Sequence, residues 1–237
     1  MTTRKLLLIS SSRAANSGYL QPALTLLQAH FGAGEVLFIP YAGVSIDYDT
    51  YCDMVATALA PVGISIRGIH TYADPVQAVQ QARAIAVGGG NTFRLLQQLY
   101  QQQLLEPIRA AVARGIPYAG WSAGANIAGL SIRTTNDMPI IEPPSFTALE
   151  LVPFQLNPHY SDYQPPGFHG ESRDQRLGEF MQLHPDTPIL AIREGTALAI
   201  NNEQMQLVGD SDGYVFIGGQ KQPLLVNQSC SNWLISK

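Results

Sequence analysis

Residues 120 to 124 read Gly-Trp-Ser-Ala-Gly, placing one hydroxyl, Ser122, where a short apolar run meets a stretch of small residues. A serine before a helix often serves as an N-cap. That role does not explain the small residues at Gly120, Ala123, Gly124 and Ala125. A sharp strand-to-helix turn that exposes a nucleophile does, because its flanks must pack without bulk. The five-residue pattern alone recurs by chance, so the partners around it decide its meaning.

A serine hydroxyl attacks a carbonyl only when a base takes its proton. Five histidines are available, at 30, 70, 159, 169 and 184. His30 and His70 end a helical and a strand-like run, and His169 and His184 lie in polar segments. His159 follows an apolar run in LNPHYSDY, where Asn157 and Pro158 turn the chain, and it is the best-placed base. The base needs a carboxylate to orient it. Glu194, in ILAIREGTALAI, lies at a tip between two apolar runs. Asp137, in RTTNDMP, lies in a polar loop soon after the serine. The orders Ser–His–Glu and Ser–Asp–His are both workable, and spacing does not separate them. An acyl-transfer site also needs N–H donors for the developing oxyanion. The N–H of Ala123 is one, and Gly89 and Gly90 in GGGN (88–91) are the source of another. GGGN has neither the Lys-Ser/Thr of a phosphate loop nor the spacing of a dinucleotide fingerprint.

These residues need a scaffold. KLLLIS (5–10), EVLFIP (35–40), ISIRGI (64–69), AIAVGG (84–89) and IPYAG (116–120) are short apolar runs without strict alternation. Strands buried on both faces read this way. Helical patterns lie between them at 19–31, 49–60, 74–82 and 92–115. Asp74 and Pro75 mark a helix start, and Gly115 marks an end. Alternation at this spacing predicts a parallel sheet with helices on both sides. GGGN and GWSAG then both fall at strand C-terminal ends, where such sheets bind ligands. Further on, 149–156 reads as a strand and 173–184 as a helix. Residues 187–226 read as short strands that extend the same sheet in antiparallel fashion. No linker or repeat interrupts the chain, so a single domain over 1–237 is expected.

Composition narrows the function classes. The chain has 237 residues, 46% of them hydrophobic, enough for a sizeable core. The formal net charge is −4 and the basic residues are scattered, which argues against a nucleic-acid partner. Eleven of the 14 basic residues are arginine, suited to bidentate recognition of a carboxylate. The apolar core of the N-terminal segment is too short for a signal peptide, and no run approaches a membrane span. Cys52 and Cys230 form no metal or redox motif. A cytoplasmic protein is the expectation.

Six segments in order, FIPYAGVS (38–45), VGGGNTFRLL (87–96), GWSAGAN (120–126), IRTTNDMP (132–139), NPHY (157–160) and GESRDQR (170–176), together resemble the peptidase E family of α-aspartyl dipeptidases. The resemblance runs to about Gly195. It implies a three-layer α/β/α fold like that of class I glutamine amidotransferases. It also implies a serine peptidase acting on small peptides with an N-terminal aspartate, without metal or organic cofactor. The family's nucleophile falls on Ser122 and its base on His159. Its acid falls on Glu194 or Asp137, with Glu194 favoured and Asp137 nearby. Arg173 is the implied ligand for the aspartyl carboxylate, with Asn91 beside it; Arg133 and Arg176 are the weaker alternatives. A monomer or homodimer without membrane or nucleic-acid partners is expected. A cyanophycinase-like hydrolase of β-aspartyl–arginine links is the rival enzyme, and a non-catalytic amidotransferase-like binding module the rival outside catalysis.

Overall fold

A computed structural model describes residues 4–167 and 169–235. The first half of the chain builds five parallel strands, β1 (Lys5–Ile9), β2 (Gly34–Ile39), β3 (Ile64–Gly68), β4 (Ile85–Val87) and β5 (Tyr118–Trp121). Helices α1 (Leu24–Phe31), α2 (Tyr48–Leu59), α3 (Pro75–Gln81), α4 (Thr92–Gln101) and α5 (Leu105–Ala113) connect them. The starts of α2, α3 and α4 are set by side chains that satisfy free N–H groups. Asp47 accepts from Thr50, Asp74 from Gln77 and Asn91 from Arg94.

Successive residues of a strand face opposite sides of its sheet, and both sides here are apolar. Leu6, Leu8, Leu37, Ile39, Ile85 and Val87 pack under α3, α4 and α5. Their neighbours Leu7, Ile9, Val36, Phe38, Ala86 and Trp121 pack under α1 and α2. Two buried faces explain the continuous apolar runs and give the three-layer α/β/α arrangement.

The second half divides. Strands β8 (Ala197–Asn201) and β9 (Gln204–Val208) add antiparallel to β1, giving the order β3-β2-β4-β5-β1-β8-β9. The antiparallel extension is therefore present, but it takes only part of the C-terminal strands. Strands β6 (Gln155–Asn157), β7 (Ile189–Ala191), β10 (Gly213–Ile217) and β11 (Gln220–Leu224) form a second sheet of order β11-β10-β7-β6. Helix α7 (Arg173–Leu183) opens with a Ser172–Gln175 capping box and buries Leu177 and Met181 against that sheet. Each such side chain contributes about 1.5–3 kcal/mol.

The strand expected over 149–156 is confined to its last residues. Pro153 interrupts it, and the N–H groups of Leu149, Glu150 and Leu151 bond to carbonyls of residues 127–129 instead of to a strand. Among the described residues no helix is long and apolar enough to cross a membrane.

Candidate active site

Strand β5 lies between β4 and β1 and is followed directly by Ser122, which opens the short helix α6 (Ala123–Asn126). Ser122 has φ 55° and ψ −114°, a conformation that non-glycine residues rarely adopt. The small flanks make the turn possible. A Cβ on Gly120 would sit 2.1 Å from the Gly124 carbonyl oxygen, and one on Gly124 would sit 2.2 Å from that of Val87. The Tyr118 hydroxyl closes the turn by donating to the Gly124 carbonyl at 2.6 Å.

His159 Nε2 lies 2.9 Å from Ser122 Oγ, and His159 Nδ1 lies 2.8 Å from Glu194 Oε1. Strand pairing explains how residues 35 apart meet. β6 and β7 are parallel neighbours, with Asn157 opposite Ala191, and His159 and Glu194 follow their C-terminal ends. Glu194 is thus not at the tip of a hairpin; the chain there crosses from the second sheet into the main one. Ser10, fully buried at the end of β1, joins the two sheets at this point. Its hydroxyl donates to Ile192 O at 2.8 Å and accepts the His159 N–H at 2.9 Å. The Ser122 N–H bonds to Ile9 O, one residue away from Ser10. Serine and histidine are therefore both referenced to the end of β1. Sequence reasoning missed Ser10, whose only signal was a hydroxyl directly after a fully apolar strand.

Among the described residues Asp137 makes no hydrogen bond to His159. Its Oδ2 accepts from the Thr92 N–H at 2.7 Å and the Thr92 hydroxyl at 2.6 Å, which secures the start of α4. It nevertheless lines a cavity of about 200 Å³ with Ser122, Asn126, His159 and Arg173. Asn91 caps α4 with one end of its amide and bonds Met138 O with the other. The Arg173 guanidinium is half-buried and reaches Asn157 Oδ1 at 3.3 Å. Among the described residues it has no ion-pair partner. Glu171 goes to Arg176 at 3.5 Å, and Asp174 goes to Lys221 at 2.8 Å. Burial, and then the nearby Arg176 charge, lower the pKa of Arg173 from the usual arginine value, the signature of a cation lacking its counter-charge. Arg133 lies over the Phe146 ring instead.

On its other side Ser122 borders a larger cavity of about 530 Å³, with Tyr19, Ile46, Met54, Gly90 and Ile140 in its wall. This cavity lies beyond the C-terminal ends of β2 and β4. Those neighbours continue in opposite directions through the sheet, which is where open α/β sheets bind ligands. Gly90 has φ 137°, and a Cβ there would lie 2.2 Å from Ala42 O, so only glycine lets this loop approach the serine. The N–H groups of Gly89, Gly90 and Ala123 meet no protein acceptor among the described residues. Of the remaining histidines, His30 bonds Tyr118 O, His70 pairs with Asp49, His184 packs on Phe180, and His169 is exposed.

Comparison with known proteins gives the family. The family model for peptidase family S51 matches residues 6–208. A peptidase E of Shewanella denitrificans is 53% identical over 230 residues, covering 96% of this chain and 98% of that protein. One of Shewanella amazonensis is 53% identical over 232 residues, with the same coverage. The solved structure of a Listeria monocytogenes EGD-e protein assigned to peptidase E superposes with a TM-score of 0.68 at 26% identity, covering 88% of this chain and 100% of that one. A peptidase from an acI-B1 Actinobacterium shares the fold, with a TM-score of 0.68 at 20% identity over 96% of both chains. With the family model spanning most of its length and these relatives covering nearly all of it, this chain belongs to peptidase family S51.

Proposed function

We propose that this peptidase is a serine-type dipeptidase that releases aspartate from Asp-X substrates. The observation that carries the reading is the half-buried guanidinium of Arg173, without an ion-pair partner among the described residues, in the same small cavity as Ser122. A cation so placed suits a short acidic side chain next to the reacting carbonyl. The free oxygen of Asp137 offers a counter-charge to the substrate's α-ammonium, and the cavity has little room for a further residue on that side.

In the reaction, Ser122 Oγ attacks the carbonyl carbon as His159 Nε2 takes its proton. Glu194 accepts from Nδ1–H, which fixes the tautomer and supports the imidazolium. The N–H groups of Ala123 and of the Gly89–Gly90 loop receive the oxyanion. His159 then protonates the leaving amine, and X departs through the larger cavity. Water, activated by the same imidazole, cleaves the aspartyl ester and restores Ser122.

The test is aspartate release from Asp-Leu, with Leu-Leu and Glu-Leu as controls, by wild type and Ser122→Ala. Cleavage of Asp-Leu alone is expected, with a loss of roughly a millionfold in kcat in the variant. Cleavage of β-aspartyl–arginine but not Asp-Leu would replace the substrate reading. No reaction of Ser122 with an acylating probe would replace the catalytic one.

A further inference from the structure

Resting on that reading of the Gly89–Gly90 loop, we propose that Tyr51 and Tyr19 are positioning residues. With Trp121 they form a hydrogen-bonded relay that holds the Gly89–Gly90 peptide with its N–H turned toward the oxyanion.

The relay is continuous. Trp121 Nε1–H donates to the Tyr19 hydroxyl at 3.0 Å, Tyr19 donates to the Tyr51 hydroxyl at 3.2 Å, and Tyr51 donates to Gly89 O at 2.9 Å. An indole N–H can only donate and a carbonyl oxygen can only accept. The two ends therefore fix the direction of both hydroxyl hydrogens between them. Each end adjoins the reacting groups: Trp121 directly precedes Ser122, and Gly89 O belongs to the peptide that carries the Gly90 N–H.

The peptide geometry gives the relay its consequence. The C=O of Gly89 and the N–H of Gly90 lie in one plane and point in opposite directions. A bond that anchors the oxygen thus sets the direction of the hydrogen. A peptide between two glycines has the least steric resistance to flipping, since neither flank carries a Cβ. Some other group must choose its orientation, and the Tyr51 hydroxyl is the one bonded there. Its own position is firm. The Tyr51 ring is nearly fully buried, edge-on to Phe38 with centroids 5.1 Å apart, and Phe38 stacks on Trp121 at 5.7 Å. Burial raises the pKa of both tyrosines, so each hydroxyl keeps the hydrogen it donates.

Tyr51→Phe and Tyr19→Phe remove only hydroxyls, and both are tested in the full chain with Asp-Leu. Two probes separate transition-state from ground-state effects: an aspartyl boronic acid, which forms a tetrahedral adduct on serine, and a reduced-amide Asp-Leu isostere, which does not. Tyr51→Phe is expected to lower kcat about tenfold, a fraction of what losing an oxyanion donor outright costs. KM is expected to stay within about twofold. Boronate affinity should fall with kcat, while isostere affinity should not. Tyr19→Phe should show the same pattern more weakly, and the double variant should be no worse than Tyr51→Phe, because the hydroxyls act in series. Unchanged kcat, additive losses, a rise in KM alone, or equal weakening of both probes would overturn the relay. Should Tyr51→Phe fold poorly, Tyr19→Phe, at a less buried position, decides by the same readouts. Wild type that forms no boronate adduct would instead refute the serine reading, and the relay with it.

Discussion

Glu194→Gln tests the assignment of the third catalytic member most directly, and its size follows from exposure. The Glu194 carboxylate lies 2.8 Å from His159 Nδ1, with the two side chains 54% and 40% exposed. At a separation of about 4 Å between charge centres, the attraction is about 1 kcal/mol in water and about 4 kcal/mol at the effective dielectric of a protein surface. The imidazolium formed during attack loses that support in the variant. kcat is therefore expected to fall between about fivefold and several hundredfold. A buried triad acid costs roughly ten-thousandfold when neutralised, because the wrong tautomer is then locked in. Here solvent reaches both partners and the glutamine oxygen still accepts Nδ1–H. Salt screens exposed charges, so the deficit should narrow as ionic strength rises. The assay is aspartate release at saturating Asp-Leu, with Asp137→Asn in parallel. Asp137 is hydrogen-bonded to Thr92 and not to His159, so Asp137→Asn should raise KM more than it lowers kcat. Wild-type kcat in Glu194→Gln, or the larger kcat loss in Asp137→Asn, would refute the reasoning.

Three further outcomes follow from named contacts. Arg173→Met removes a half-buried charge whose bonds to a carboxylate are worth about 1.5–3 kcal/mol. kcat/KM for Asp-Leu should drop about 10–150-fold while circular dichroism stays unchanged, and undiminished activity would discard Arg173 as the specificity cation. Gly124→Ala places a methyl 2.2 Å from Val87 O. It should cost about 3 kcal/mol in denaturant unfolding and abolish turnover; full stability would show that the turn has slack. Burial pushes the pKa of His30 down from 6.5 to about 4. The unfolded chain then binds the extra proton, so this contribution is complete above pH 6.5 and is lost as pH falls toward 4, by up to about 3 kcal/mol. Melting temperature should therefore fall less steeply over that interval in His30→Gln, which can still donate to Tyr118 O. Parallel slopes would argue against it.

Local chemistry made much of the molecule legible. The parallel strands announced themselves as apolar runs because both faces are covered, and Asp74 and Pro75 marked the start of α3 because capping is a nearest-neighbour interaction. The small residues around Ser122 exposed the turn in part for the same reason: Gly120 is crowded by Gly124 and Ala125 a few residues on, although Gly124 itself is crowded by Val87 of β4. The run at 149–156 misled because strand-like composition cannot show that Pro153 and the loop at 127–129 claim its backbone.

What sequence by itself determined, then, was the strand–turn–helix at Ser122, the alternating α/β order and a short list of partners. The choice between Glu194 and Asp137 was not among these. It depends on β6 and β7 pairing in parallel across α7, and on Ser10 joining their loops to the end of β1. Whether Arg173 is free or paired depends equally on where Arg176 and Lys221 draw its acidic neighbours. Such partners are brought together by packing between elements far apart along the chain, which spacing does not encode, and only the tertiary structure decides them.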